Sequence, residues 1–354
     1  MAKKVKGELP SGNVRYKLYI GKGADGKKKY MSFTARTKGE AKDLADAWKK
    51  SHKKQPENGP NLTFSEAAKA FIDNRSKTLS PSTHREYLRT LARLEDDEPM
   101  FTRSKVRVIT SEKVQAVINS LATKTAEYRG RPLDHVISPK TVRNYYAFIS
   151  AVLLSQGVEL HGIKLPQIHK PELVIPDDDT VKKLLEAVKG TALEVPILLA
   201  AWGPMRRGEI CALRLEDIDF GTNTVHVCRN MVLDSDGLWT IKAPKTASGD
   251  RYITYPPYVI DLIKDQGFIT AAKPNTLSRN FQHCLDRHGI KSFRFHDLRH
   301  FAASFQIALG IPPTYVMERG GWSSPGTMQR YVHALDKQRR AMSDKANDAF
   351  SKML

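Results

Sequence analysis

Residues 292 to 334 read SFRFHDLRHFAASFQIALGIPPTYVMERGGWSSPGTMQRYVHA, a stretch dense in groups able to handle a phosphate. At 100° per residue, Leu298, Phe301, Ala302, Phe305 and Leu309 form one apolar stripe, which predicts an amphipathic helix from His296 to Leu309. His296, Arg299 and His300 fall outside that stripe. Two imidazoles and a permanent positive charge are thereby presented at a helix start, where the backbone dipole also favours an anion. The expected guest is a phosphate.

Punctuation in the sequence sets the elements around this group. The Pro312-Pro313 pair stops the helix beyond Gly310, and a shorter helix from Thr314 to about Arg319 breaks at Gly320-Gly321. Trp322, a Ser/Pro/Gly turn and Met328-Gln329-Arg330-Tyr331-Val332-His333 follow. Well upstream, residues 198 to 220 read LLAAWGPMRRGEICALRLEDIDF, and between the two stretches lies IKAPKTASGDRYITYP.

The H-x-x-R helix start, the Gly-Gly-Trp and the Tyr-x-His, in this order, resemble the C-terminal boxes of the tyrosine recombinases, the phage-integrase family. The upstream stretch is similar to the family's T-G-x-R-x-x-E box. One departure is that Gly203-Pro204-Met205 stands for Thr-Gly-x, so a residue of fixed φ precedes Arg206. The middle stretch resembles the family's β-hairpin lysine segment and places that lysine at Lys245, with Lys242 as the nearest rival. The resemblance spans about residues 62 to 340. Each motif alone is weak; four in one order are not.

The resemblance makes Tyr331 a nucleophile, and the chemistry of the other residues fits that part. A tyrosine of ordinary pKa, about 10, needs cationic neighbours to deprotonate. Arg206 and Arg299 would fork onto the non-bridging oxygens of a phosphodiester, in charge-assisted bonds that strengthen as charge builds up. Lys245 is the expected general acid to the 5′-oxygen. His296 would exchange protons near Tyr331, and His300 would support that network or serve packing. Trp322, where many relatives have histidine, can donate an indole N–H but cannot shuttle a proton. Glu209 would orient Arg206. A zinc reading of His296 and His300 at i and i+4 falls behind, because Asp297 stands where H-E-x-x-H has glutamate and Arg299 adds a positive charge. No metal or other cofactor is expected.

Composition points the same way. The 354 residues carry a formal net charge of +19, and the pI is about 9.7, which calls for a polyanionic partner. There is no apolar run near the roughly 18 residues of a spanning helix and no signal peptide, so a cytoplasmic, nucleoid-associated protein of a bacterial host is expected. Cys211, Cys228 and Cys284 lack CxxC spacing, which suggests neither disulfides nor a zinc knuckle.

Three domains are expected in a mainly α, multidomain chain. Residues 1–55 form a small N-terminal β-sheet plus helix domain. The first 60 residues hold 16 Lys and Arg against 6 Asp and Glu. Val14, Tyr16, Leu18 and Ile20 alternate with polar residues, Asp25-Gly26 marks a turn, and Tyr30 to Thr34 returns as a second strand. Thr37 with Glu40 then opens a helix with an apolar stripe of Ala41, Leu44, Ala45 and Trp48. The family's arm-type DNA-binding domain resembles this module, with Arg15, Lys17, Lys27, Lys28 and Lys29 as contacts.

Residues 62–160 are expected to form an all-α, SAM-like core-binding domain of four helices, begun at Thr63, Ser80-Pro81, Thr110 or Ser111, and Ser138-Pro139. Lys77, His84, Arg85, Lys140, Arg143 and Asn144 lie near helix starts, where phosphates could be met. After a proline-rich linker, residues 174–354 form an α-rich catalytic domain with a small antiparallel sheet, Thr224 to Leu233 and Leu238 to Lys242. Its tail offers Leu335, Met342, Ala346 and Phe350 to its own domain or to a neighbouring protomer.

The activity implied is site-specific recombination by an integrase of a temperate phage or integrative mobile element. It would proceed through a 3′-phosphotyrosyl link, on double-stranded core and arm sites, as a homo-tetramer that passes through a Holliday junction. An excision or DNA-bending factor is a possible partner. The alternatives are a topoisomerase IB-like nicking and resealing enzyme, and a DNA-binding accessory protein that has lost its chemistry.

Overall fold

A computed structural model describes residues 9, 12–22, 28–51, 61–128, 131–168, 175–244, 246–326, 328, 331, 347 and 351. The described residues are mainly helical, with small antiparallel sheets. They group into two compact units, 1–71 with 93–166 and 72–92 with 167–354. Among them no helix is long and apolar enough to cross a membrane.

The N-terminal sheet pairs β1 (Val14–Lys22) with β2 (Lys28–Ala35) antiparallel, with a register shift between Tyr19 and Gly21. Val14, Tyr16 and Leu18 lie opposite Ala35, Phe33 and Met31, and this face takes α1 (Lys38–Ser51). Ala41 and Ala45 are fully buried, and Trp48 packs 6.0 Å from Phe33. Leu44, expected in that stripe, is 50% exposed, because two strands cover only a narrow face of the helix.

In the helical segment, α2 (Phe64–Arg75) begins at the predicted box, with the Thr63 amide and hydroxyl both donating to Glu66. Then come α3 (Pro81–Asp97), the single turn α4 (Pro99–Thr102) and α5 (Ser111–Thr123). Thr110 caps α5 by accepting from the Lys113 amide. Phe64, Phe101 and Phe148 pack ring on ring in the core. The expectation of an all-α module is corrected here. β3 (Thr125–Tyr128) and β4 (Arg131–Val136) form a hairpin ahead of α6 (Pro139–Ser155), which Ser138 caps. All of β4 is exposed, so the sequence shows no apolar alternation there.

The C-terminal unit starts with α7 (Asp178–Val188), capped by the Asp177 carboxylate on the Thr180 amide. At its centre is α8 (Glu194–Trp202), in which seven of nine residues, from Glu194 to Ala201, are buried. A helix apolar on all sides is one covered on all sides. After it come the short α9 (Arg207–Ile210), β5 (Ile218–Asp219), β6 (Thr224–Val227), β7 (Asn230–Leu233), β8 (Trp239–Lys242) and β9 (Arg251–Thr254).

The strands correct a second expectation. Thr224 to Leu233 is not one strand: β6 joins a three-stranded sheet ordered β5-β6-β9, while β7 and β8 form a separate hairpin. The break falls at Cys228-Arg229, where the Arg229 guanidinium turns to Asp217 and to Glu216. Next are α10 (Pro257–Gln266), α11 (Pro274–Arg287), α12 (Phe295–Ala308) and α13 (Pro313–Gly320).

Helix α12 packs on both α8 and α13. Its buried residues therefore include Phe295, Leu298, Arg299, Ala302, Ala303 and Gln306, while Leu309 is 64% exposed. Arg299 lies within the covered surface, not outside it as the stripe implied. A helix held on two sides has no single apolar face to read.

Candidate active site

The site is assembled from three loops that meet at the start of α12. Arg206 stands just before α9, and Glu209 in that turn accepts from the Arg206 amide at 2.8 Å and from its Nη1 at 2.6 Å. Arg206 Nη2 donates to the carbonyl of Gly321, 3.1 Å away. The variant turn has a use: the carbonyl of Pro204 accepts from Nη1 of Arg299.

Arg299 is 1% exposed, and its guanidinium carbon lies 3.9 Å from the centre of the Trp322 ring. Its Nη2 is buried without a hydrogen-bond partner among the described residues. Burial first, then the neighbouring charge of Arg206, disfavours the Arg299 cation, with Glu209 acting the other way. Arginine keeps its proton in proteins, so the result is a desolvated charge in want of an anion.

Tyr331 is 1% exposed, and its hydroxyl shares a 2.7 Å hydrogen bond with Nδ1 of His300. With Nδ1 unprotonated the phenol is the donor, the arrangement a nucleophile needs. The sequence reading gave that neighbourhood to His296. The His296 ring sits edge-on to His300, with centroids 4.9 Å apart. Burial against protein, then the charges of His300 and Arg299, push the His296 pKa down to about 4. The ring keeps an exposed side, where water moderates the first effect.

Trp322 bridges Arg299 and Tyr331, since its ring is also 5.6 Å from that of Tyr331. Two glycines permit this. A Cβ on Gly320 would lie 1.9 Å from the indole, and Gly321 has φ +64° and comes so close to the Ser248 carbonyl that a Cβ would sit 2.6 Å from it. Arg206, His296, His300, Trp322 and Tyr331 line one cleft.

Sequence reasoning passed over Arg251, which is buried beneath Glu209 and donates to it through Nη2 at 2.8 Å. The signal was its register: Arg251 alternates with Ile253 on the covered side of β9. Burial would raise the Glu209 pKa, but the hydrogen bond and charge of Arg251, with the charge of Arg206, outweigh it and hold the carboxyl below its ordinary range.

Other expected residues lie apart or beyond view. Lys245, Lys27 and most of the tail, including Leu335, Met342, Ala346 and Phe350, lie outside the described residues, as do the side chains of Lys28 and Lys29. Lys242 ends β8. Arg15 and Lys17 are exposed on the side of β1 turned from α1. Lys77, Lys140 and Asn144 are exposed and His84 and Arg85 half-buried. Arg143 is committed elsewhere, its Nε donating to the Pro166 carbonyl at 2.8 Å.

The helical unit with its small antiparallel sheet brings Arg206, His300, Trp322 and Tyr331 to one cleft, with Arg299 beneath the indole, as the resemblance to the phage integrases implies. Residues 177–338 match the Phage integrase family model. Among its relatives, a putative prophage phiRv2 integrase of Mycobacterium tuberculosis is 32% identical over 165 residues, 42% of this chain and 44% of that protein. A XerC-like tyrosine recombinase of Caldanaerobacter subterraneus is 27% identical over 209 residues, 49% of this chain and 54% of the other. The chain thus spans about half the length of these two relatives. The integrase of Salmonella phage P22 is 22% identical over 87% of this chain and 86% of its own.

Solved structures agree in fold. The Tn1549 transposon integrase in complex with transposon right end DNA has a TM-score of 0.63 at 16% identity, covering 81% of this chain and all of that one. A lambda integrase tetramer bound to a Holliday junction has a TM-score of 0.54 at 15% identity, covering 91% and 93%.

Proposed function

We propose that the protein is a site-specific DNA recombinase of the integrase type, which cuts and rejoins DNA to integrate and excise a mobile element or prophage. The observation that carries this is the Tyr331 hydroxyl on His300 Nδ1, in a cleft shared with Arg206 and edged by the indole that covers Arg299.

In this reading the Tyr331 oxygen attacks the scissile phosphorus while its proton passes to His300. The bond to the 5′-oxygen breaks, that oxygen takes up a proton, and a 3′-phosphotyrosyl link remains. Lys245 is the proposed proton donor. A 5′-hydroxyl of another strand then attacks the link and returns the phenol, so the bond's energy is conserved.

Charge supports the assignment. Arg206, Arg251 and Arg299 gather around the Glu209 carboxylate, while Asp297 in the same cleft is paired with Arg294, so positive charge is in excess where a doubly negative pentacoordinate phosphorane would form. Such preset charge favours the transition state over the singly charged diester.

The domains proposed are 1–55 for arm-type sites, 62–160 for the core site and 174–354 for catalysis. Double-stranded DNA is the substrate, a homo-tetramer the working assembly, and an excision or DNA-bending factor a further partner. The test uses a nicked suicide duplex carrying the element's own end. Wild-type protein forms a covalent adduct and Tyr331→Phe forms none; strand exchange between two sites then separates a recombinase from a relaxing enzyme. A wild-type chain that binds this DNA and never becomes attached would refute the reading.

A further inference from the structure

Arg251 serves the site without reaching it. Its side chain is 3% exposed, and its guanidinium joins three separate pieces of chain. Nε donates to the carbonyl of Arg319, 2.6 Å away, at the end of α13 and next to Gly320-Gly321-Trp322. Nη1 donates to the carbonyl of Gly249 at 3.1 Å, in the loop that follows β8 and includes Lys245. Nη1 and Nη2 also reach the two oxygens of Glu209, at 3.3 and 2.8 Å.

These contacts close a ring. Glu209 holds Arg206 by its amide and its Nη1, Arg206 Nη2 holds the Gly321 carbonyl, and Gly321 leads back through Gly320 to Arg319 and so to Arg251. The ring is tight: a Cβ on Gly321 would lie 3.2 Å from Arg251 Nη1. Among the described residues of the ring, only Arg206 lines the cleft, beside the turn that carries Trp322.

Packing alone does not call for a guanidinium here, because a buried ion pair is a weak stabiliser beside an apolar side chain of similar volume. A planar fork with fixed donor directions does something a hydrocarbon cannot: it sets the angle between segments. We propose that Arg251 is a positioning residue for strand cleavage, holding Glu209 and the Gly320–Trp322 turn so that Arg206 presents its free edge to the scissile phosphate. The inference rests on the recombinase reading above and adds to it a residue that makes no contact with DNA.

The test measures cleavage of a suicide duplex by full-length Arg251→Met and Arg251→Lys, with thermal melting and DNA affinity measured alongside. Each protein is given two substrates, one with the natural scissile phosphate and one with a neutral methylphosphonate in its place. Removing the charge from the phosphate lessens the demand on Arg206, so a defect that acts through Arg206 shrinks on the second substrate. Arg251→Met is expected to cleave the phosphate about 100-fold more slowly and the methylphosphonate less than about tenfold more slowly, with affinity near wild type.

Arg251→Lys, which keeps the charge but not the fork, is expected to lose about tenfold on the phosphate alone. Should Arg251→Met fail to fold, the lysine variant carries the same comparison. Equal losses on both substrates, or unimpaired cleavage of the phosphate, would overturn the proposal. Wild-type protein that cleaves neither substrate would instead refute the recombinase reading.

Discussion

The layer beneath the Trp322 indole and the outer face of the N-terminal sheet both carry cations, in opposite settings. Under the indole, Arg299 is 1% exposed, with one carbonyl, one indole and an N–H without a partner among the described residues. On the sheet, Arg15 and Lys17 lie in water beside Tyr19 and Tyr30, whose rings meet at 5.6 Å. A desolvated charge acts strongly on one partner in one geometry, whereas an exposed one is screened within about 10 Å at ordinary salt. On the proposed function, affinity for DNA would be spread over exposed cations such as Arg15 and Lys17, and the chemistry concentrated in buried ones such as Arg299.

The largest effect expected from this contrast is at Arg299. Arg299→Lys keeps a charge but loses the planar fork, and cleavage should fall by about 10²- to 10³-fold while DNA affinity changes little. Gel-shift and single-turnover cleavage on one duplex check it; parallel losses in both would erase the distinction between the two regions. Next comes Gly320→Ala. Its Cβ would collide with Trp322 and displace the indole, costing about 1–3 kcal/mol of stability, read by thermal melting, together with part of the cleavage rate.

On the sheet, Lys17→Ala should leave cleavage of a short core duplex unchanged. It should lower the slope of log K against log salt on longer DNA by about 0.9, the share of one phosphate contact. The smallest effect is one of pH. His296 titrates near 4 when folded and at an ordinary 6.5 otherwise, so the unfolded chain binds more protons between those values. The contribution is present above pH 6.5 and fades as pH falls towards 4. His296→Gln should flatten the decline in melting temperature across that window, slightly, because the ring has a wet side.

Legibility in the sequence followed locality. The cap at Ser138 was readable, and the one at Thr110 to within a residue, because each is settled within three residues. The residues that meet in the cleft, Arg206, His296, His300, Trp322 and Tyr331, were readable as motifs. Features set by distant partners were not. Arg299 reads as a surface residue until α8 and α13 cover both sides of its helix, and β6 parts from β7 only because Arg229 turns to Asp217. Arg251 belongs with these, for its partners lie 42 and 68 residues away. His300 rather than His296 meets Tyr331 because the phenol returns from 31 residues downstream.

The indole lying flat on Arg299 also decides how anything can approach that residue. One broad side of the guanidinium is shut, and the Pro204 carbonyl occupies part of its rim. What is left works like a slot: an incoming tetrahedral anion is aligned in the plane of the fork as it arrives. If the proposed recombinase reading holds, protein atoms choose the direction of attack on the phosphate, leaving base sequence to determine only where along the duplex the slot is filled.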